Sequence, residues 1–217
     1  MAVIPGVIPG SGKLMISLIG QRPLAAETLP RSLLWRNNAA QTEASMNILV
    51  LNGSPHLNGN TADMVAGFKA GAEAAGHTVV VENVAHMSIK GCMACEYCRE
   101  KEKGVCVQKD DMQKIYPEIL NADMVVFASP VYYFTLSAQL QSAVHRTYSI
   151  DIPKNVKKTA LIMSSGSPFV YGPAIAQYYH SIVEYWQVEN AGIFTANGKA
   201  NHSPEKRDEL YRFGKSL

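Results

Sequence analysis

The residues that could do chemistry fall into three short groups. The first is a loop between Asn52 and Thr61, NGSPHLNGNT, which crowds Ser54, His56, Asn58, Asn60 and Thr61 into one turn. An apolar strand, Ile48 to Leu51, runs into this loop, and an alanine-rich helix leaves it at about Asn60. A strand, a polar glycine-bearing loop and a helix N-terminus form an anion site, because the free amides of the first turn and the helix dipole point at whatever binds there. The loop has no dinucleotide glycine spacing and no GxxxxGK[ST], so neither a Rossmann turn nor a P-loop fits. Its hydroxyls and amides, with His56 as the only candidate cation, suit a terminal monophosphate. An ordinary turn with capping residues needs one cap, and this loop carries five polar groups.

The second group is Ser129-Pro130-Val131-Tyr132-Tyr133-Phe134-Thr135. Three aromatics in a row at a strand end cannot all face one core. Flat side chains at a crevice suit a flat heteroaromatic ligand; packing in the core and at an oligomer interface is the competing explanation.

The third group is Cys92, Cys95, Cys98 and Cys106, spaced C-x2-C-x2-C-x7-C and comprising every cysteine of the chain. Three cysteines at two-residue gaps let thiolates converge on one face of an iron–sulfur cluster, although the last gap departs from the ferredoxin run. Structural zinc usually splits its thiolates into two separated pairs. Free or redox-active thiols are the third reading. A secreted disulfide framework is not indicated, and a reducing cytoplasm fits.

These groups need a scaffold. From Met46 onward apolar runs alternate with amphipathic stretches: a helix to about Ala75, the strand HTVVVENV, a cysteine-bearing excursion from Ile89 to about Asp111, a short helix interrupted by Pro117, and the strand MVVFAS. A helix over about Ser137–Tyr148, the strand TALIMSS, a helix over about Pro173–Trp186, a strand near Gly192–Ala196 and a final helix capped by Ser203 follow. Asp110 or Asp111 caps the helix after the excursion. The pattern predicts an α/β fold, a doubly wound five-stranded parallel sheet with helices on both faces and a cysteine-bearing insertion. Three polar loops follow strands, GSPHLNGNT after the first, SPVYYFTLS after the third and SSGSPFVYG after the fourth, so they converge at the C-terminal edge, where such sheets bind ligands.

Bulk properties narrow the partners. With 217 residues and 47% apolar content the chain supports one sizeable domain. The net charge is +2, and residues 1–45, with four basic against two acidic side chains, carry all of it. A charge-balanced remainder argues against nucleic acid, and no run approaches a membrane span. Residues 1–45 are rich in Gly and Pro breaks, and their LMISLIG run only faintly resembles a secretory segment. They read as a disordered extension or an upstream start, with the domain at 46–217. No Ser–His–Asp order supports a hydrolase, and His77, His86, His180 and His202 have no ligand spacing.

NGSPHLNGNT, GCMACEYC…GVCV…DDM and ASPVYYFTLSAQLQSAVHR, in that order, resemble the NADPH-dependent FMN reductase family, in its iron–sulfur flavoprotein-like branch. The similarity runs from about Asn47 to the C-terminus. It implies a flavodoxin-like fold that binds FMN. By motif position Ser54, His56, Asn60 and Thr61 hold the phosphate. Pro130, Val131, Tyr132, Tyr133 and Phe134 line the isoalloxazine ring, and Ser165, Gly166 and Tyr171 close the other side. The resemblance also implies a [4Fe–4S] cluster on the four cysteines. His56 stands where relatives usually carry arginine, which implies weaker or pH-dependent phosphate affinity. His145 precedes Arg146 where Asp-Arg is common, so no role carries over to that pair.

The expected activity is oxidation of NAD(P)H with electrons passed to flavin, quinone or another small-molecule or redox-protein acceptor. No protein acid or base is required, so no catalytic residue is assigned. The alternatives are an iron–sulfur flavoprotein carrying electrons between ferredoxin-like partners, and a non-catalytic module that has lost its flavin. A homodimer or higher homo-oligomer is expected, because the aromatic loop and the cysteine excursion protrude and want cover.

Overall fold

The computed structural model describes residues 45–217. The expectation for residues 1–45 therefore lies almost wholly outside the described residues. Five parallel strands form the sheet: β1 (Asn47–Asn52), β2 (Thr78–Glu82), β3 (Met124–Tyr132), β5 (Lys158–Ser165) and β6 (Glu189–Asn197), in the order β2-β1-β3-β5-β6. A two-residue strand, β4 (Thr135–Leu136), adds an antiparallel hairpin to the end of β3. Leaving out that hairpin, the order is the flavodoxin-like one, and the switch point lies between β1 and β3.

Helices α1 (Asn60–Ala74), α2 (Tyr97–Glu100), α3 (Met112–Asn121), α4 (Ala138–Arg146), α5 (Gly172–Tyr178) and α6 (Pro204–Lys215) complete the chain. The near-continuous apolar strands are buried on both faces, and the pleat sorts them. Ile48 and Val50 pack with Met64, Phe68 and Leu210 of α1 and α6. Leu49 and Leu51 pack with Ile115, Leu140, Tyr178 and Trp186 on the other side. Among the described residues no helix is long and apolar enough to cross a membrane.

Two expectations are refined. The helix expected over Pro173–Trp186 is α only to Tyr178 and then widens into a π-helical segment, Tyr179–Glu184. The wider turn brings consecutive tyrosines to one partner: the Tyr178 hydroxyl donates to Asn190 Oδ1 (3.0 Å) and Asn190 Nδ2 donates to the Tyr179 hydroxyl (2.9 Å). The acidic pair before α3 divides its work. Asp110 Oδ1 accepts from the Met112 amide at 3.2 Å, while Asp111 Oδ2 accepts from the Ser88 amide at 2.8 Å and ties down the start of the excursion.

Candidate functional site: a three-loop crevice and a cysteine cavity

One crevice at the C-terminal edge of the sheet is lined by Ser54, His56, Asn60, Thr61, Pro130, Val131, Tyr132, Ser164, Ser165 and Gly166. Nine of these ten are residues expected from the sequence. They come from the loop after β1 and the first turn of α1, and from the C-terminal ends of β3 and β5 with the residue after β5, brought side by side by the strand order.

The polar end is built around the start of α1. Its N-cap is Gly59, which has no side chain with which to cap. None of the five polar residues is therefore spent on capping, and the first-turn amides face outward as donors. Gly59 is needed for packing as well, since a Cβ there would lie 2.8 Å from His56 Cβ. Asn52 Oδ1 accepts from the Ser54 amide at 3.1 Å, and Ser54 Oγ accepts from the His56 amide at 3.2 Å, which folds the loop over the helix end. Thr61 is buried, and its hydroxyl shares a 2.8 Å hydrogen bond with Ser164 Oγ across the crevice floor. His56 is exposed, and Asn58, also exposed, is not part of the wall.

The flat end is formed by Pro130, Val131 and Tyr132 against Ser165 and Gly166. The loop after β3 turns back through Tyr133 and Phe134, both at positive φ (48° and 65°), between the paired residues Tyr132 and Thr135. This is the signature of a type I′ turn, which normally takes Asn and Gly. Bulky side chains there store strain. Tyr133 is 98% exposed and Phe134 52% exposed, so neither is held there by the core, and neither belongs to the crevice wall. Tyr171 is also placed outside the wall. It is buried behind the crevice, its hydroxyl 2.6 Å from Ser165 Oγ and donating to the Ala196 carbonyl at 2.7 Å. It props the β5 loop from behind.

Ser164, Asn52 and Asn201 carry parts of the site that the sequence reading did not single out. Asn201 Nδ2 donates to the Ser165 carbonyl at 2.9 Å. Ser164 sits inside an apolar strand and Asn201 lies 36 residues from its partner, so neither has a local signature.

The cysteines lie on the excursion between β2 and α3. Cys92, Cys95, Cys98 and Cys106 all line one small cavity, with Glu96, Arg146 and Tyr148 among its other walls. All four are free thiols; Cys98 is buried, Cys106 half-buried, and Cys92 and Cys95 exposed. Burial pushes the Cys98 thiol up, against the pull of Arg99. The Ala94 amide donates to Cys92 Sγ at 3.4 Å, and Ala94 and Glu96 both sit at positive φ, curling the chain around the cavity. Among the described residues no three His, Cys, Asp or Glu side chains already stand as a metal-binding group. The donor set is nonetheless that of a thiolate-ligated centre: four sulfurs around one space, on a loop with a backbone N–H already directed at sulfur.

The loop is fastened from two sides. Arg99 stacks on Tyr148 (4.4 Å to the ring centroid) and pairs with Asp151 at 3.0 Å, and the Tyr148 hydroxyl donates to Glu96. On the inner side Arg146, 1% exposed, pairs with Asp110 at 2.6 Å and donates to the carbonyls of Lys90 (3.0 Å) and Gln108 (3.5 Å). Burial alone would depress the Arg146 guanidinium, but Asp110, Tyr116 and Cys106 outweigh it and raise its pKa. Burial likewise pushes Asp110 up, and its hydrogen bonds from Arg146, Lys90 and Met112 reverse the sign, holding it below the ordinary value. Arg146 ends α4, which begins at the aromatic loop. The nine-residue helix separates crevice and cavity by roughly 13 Å at 1.5 Å per residue.

Comparison with known proteins agrees with this geometry. An iron–sulfur flavoprotein of Archaeoglobus fulgidus is 28% identical over 151 residues, 67% of this chain and 66% of that protein. One of Methanocaldococcus jannaschii is 32% identical over 112 residues, 52% of this chain and 55% of that protein. The chain thus spans between about half and two thirds of the length of these relatives. Among solved structures, an NAD(P)H:quinone oxidoreductase from Methanothermobacter marburgensis superposes with a TM-score of 0.63 at 20% identity, covering 80% of this chain and 98% of that one. At that identity the likeness concerns the fold. The model of the NADPH-dependent FMN reductase family matches residues 46–188, beginning at the first residue before β1 and running past β5. The chain belongs to the NADPH-dependent FMN reductase family.

Proposed function

We propose that residues 46–217 form an FMN-binding domain and that the protein is a flavin-dependent oxidoreductase, oxidising NADH or NADPH with a flavin, quinone or other redox acceptor. The observation that carries this reading is the three-loop crevice. Its polar end is a helix N-terminus without a side-chain cap, and its flat end is an aromatic and backbone slot. Bound FMN would supply the hydride and single-electron chemistry.

The chain's own part is to bind and orient. Ser54, His56, Asn60 and Thr61 surround the place for the phosphate, with the first-turn amides of α1 as further donors. Pro130, Val131 and Tyr132 lie on one side of the ring slot and Ser165 and Gly166 on the other. Tyr171 keeps the Ser165 hydroxyl in place from behind. Tyr133 and Phe134, held exposed by a strained turn, are available to the ring's outer face or to a second copy in a homo-oligomer. No side chain is assigned to acid–base work. The family likeness and the absence of any disulfide framework are consistent with a cytoplasmic setting.

The decisive experiment is reconstitution of the full chain with FMN, followed by NADH and NADPH oxidation with quinone and free flavin as acceptors. Saturable FMN binding with NAD(P)H turnover is expected. Failure to bind FMN would overturn the reading. FMN binding without turnover would leave the second one.

That second reading is an electron carrier with FMN and a [4Fe–4S] cluster, favoured by the four cysteines lining one cavity and by the relatives that carry the name iron–sulfur flavoprotein. Cys92, Cys95, Cys98 and Cys106 would hold the cluster, which would supply one-electron chemistry. Anaerobically prepared protein free of iron and sulfide would remove it.

A further inference from the structure

Arg146 is among the largest fully buried side chains of the fold, and it lines the cysteine cavity. Two of its nitrogens are satisfied, Nη1 by Asp110 and Lys90 and Nη2 by Gln108. Its Nε is buried and has no partner among the described residues. Buried donors are rarely left unpaired, and one that is needs an explanation. A purely structural tie between the excursion and α4 does not supply it. A buried ion pair can often be exchanged for apolar residues without loss of stability, and an orphan N–H only adds to its cost.

The location does supply one. Arg146 lines the same cavity as Cys106 and the other three cysteines, and the Tyr116 hydroxyl donates to the Arg146 carbonyl at 3.3 Å. A second cation, Arg99, follows Cys98 in the chain but is not part of the cavity wall; like Arg146 it has a carboxylate partner, Asp151. Glu96, the one acid in the cavity wall, is turned to the Tyr148 hydroxyl. Four thiolates gathered around any cationic core leave a net anionic centre, which a fixed neighbouring cation stabilises, the more so in a desolvated place.

We propose that Arg146 is the positioning residue of the cysteine cavity: a guanidinium pinned by Asp110 and two carbonyls, whose charge and unpaired Nε–H favour an anionic sulfur-bound centre and its reduced state. This rests on the reading that the four cysteines act together as ligands. It adds that α4 reaches from the flavin crevice to the counter-charge of the second centre.

The test uses the full chain reconstituted anaerobically with FMN, iron and sulfide, as wild type, Arg146→Met, Arg146→Lys and Asp110→Asn/Arg146→Met. The double variant leaves no unpaired buried carboxylate, so the comparison survives if Arg146→Met fails to fold. In a dithionite titration followed by electron paramagnetic resonance, one electron enters the iron core and no bond is made or broken. Loss of the cation is expected to lower the reduced-to-oxidised ratio of the cluster at a fixed potential about tenfold, a shift of about 59 mV for one electron. Arg146→Lys should stay near wild type, and the flavin potentials should not move. Equal potentials in all proteins, or a lysine variant that shifts like the methionine one, would overturn the proposal.

If wild type takes up no iron and sulfide, the cluster reading fails by itself. Cadmium(II) binding, read by sulfur-to-metal charge-transfer absorbance, then decides the role of Arg146. About tenfold weaker binding in the methionine variants with retention in lysine supports it, and equal binding throughout overturns it.

Discussion

The Tyr133–Phe134 turn makes a prediction in which stability and binding move in opposite directions. Both residues occupy the left-handed region, where a side chain other than Gly or Asn costs roughly 1–2 kcal/mol. Replacing them with the pair that favours this turn, Tyr133→Asn with Phe134→Gly, should recover roughly 3 kcal/mol of strain. Little packing is given up. Tyr133 is 98% exposed, and Phe134, 52% exposed, loses about half of a buried phenylalanine, roughly 1 kcal/mol. The new glycine adds roughly 0.5–1 kcal/mol of unfolded-state entropy. The net is stabilisation of about 1 kcal/mol, a rise of roughly 2–4 °C in Tm for a domain of this size.

FMN binding should weaken at the same time, by about fivefold if the two aromatics contribute about 1 kcal/mol of ring contact. Urea unfolding of the flavin-free protein and fluorescence titration with FMN measure the two quantities separately. A double variant no more stable than wild type would refute the strain argument. One that is stabilised yet binds FMN unchanged would show that the aromatic turn serves something other than the flavin. Strain kept at a functional turn is a familiar exchange of stability for activity, and here its two sides are measurable in one protein.

Thr61→Val should cost about 1–2 kcal/mol, because it leaves the buried Ser164 hydroxyl without its 2.8 Å partner, and should weaken FMN binding; urea midpoints and FMN titration check both. Gly71→Ala should be strongly destabilising, by about 3 kcal/mol, since a Cβ there collides with the Tyr211 carbonyl where α1 packs on α6. Gly91→Ala, with nothing within 4 Å, should be near neutral, and thermal unfolding separates the two. The Asp110 carboxyl is held below its ordinary value of 3.8 by Arg146, Lys90 and Met112, so its contribution is complete above that pH and is lost as pH falls through the lower folded pKa. The stability gap between wild type and Asp110→Asn should therefore be widest near neutrality and shrink in acid; a gap constant with pH in urea unfolding would refute the linkage.

The parts of this molecule that were legible in the sequence are those whose cause is local. Apolar runs such as Ile48–Leu51 and TALIMSS read as buried strands because the sheet covers both faces. Ser203 before Pro204 read as a helix start, and Ser203 Oγ does accept from the Lys206 amide at 3.1 Å. The crevice was legible because three loops each followed a strand, and strand order does the rest. What was hidden depends on distant partners. Ser164 looks like a polar interruption of a strand until Thr61, 103 residues away, meets its hydroxyl. Tyr171 was expected in the wall, but its hydroxyl finds the Ala196 carbonyl and turns it into a prop.

Arg146 shows why such distant causes matter most for function. On sequence it is one more charge near the end of an amphipathic helix, where a cation suits the dipole. Its neighbour His145, at the same end, is exposed. Only the folding of the cysteine excursion across α4 buries Arg146, because Lys90, Gln108 and Asp110 lie 36 to 56 residues earlier in the chain. The fold that gathers the four cysteines around one cavity therefore also buries the guanidinium beside them. The role proposed for Arg146 would give the buried ion pair on the inner side of the excursion a reason beyond stability, which an apolar contact would have served alone. One element also joins the two places: α4 starts at the turn beside the three-loop crevice, with the Ser137 hydroxyl accepting from the Leu140 amide at 3.3 Å, and ends in the wall of the cysteine cavity.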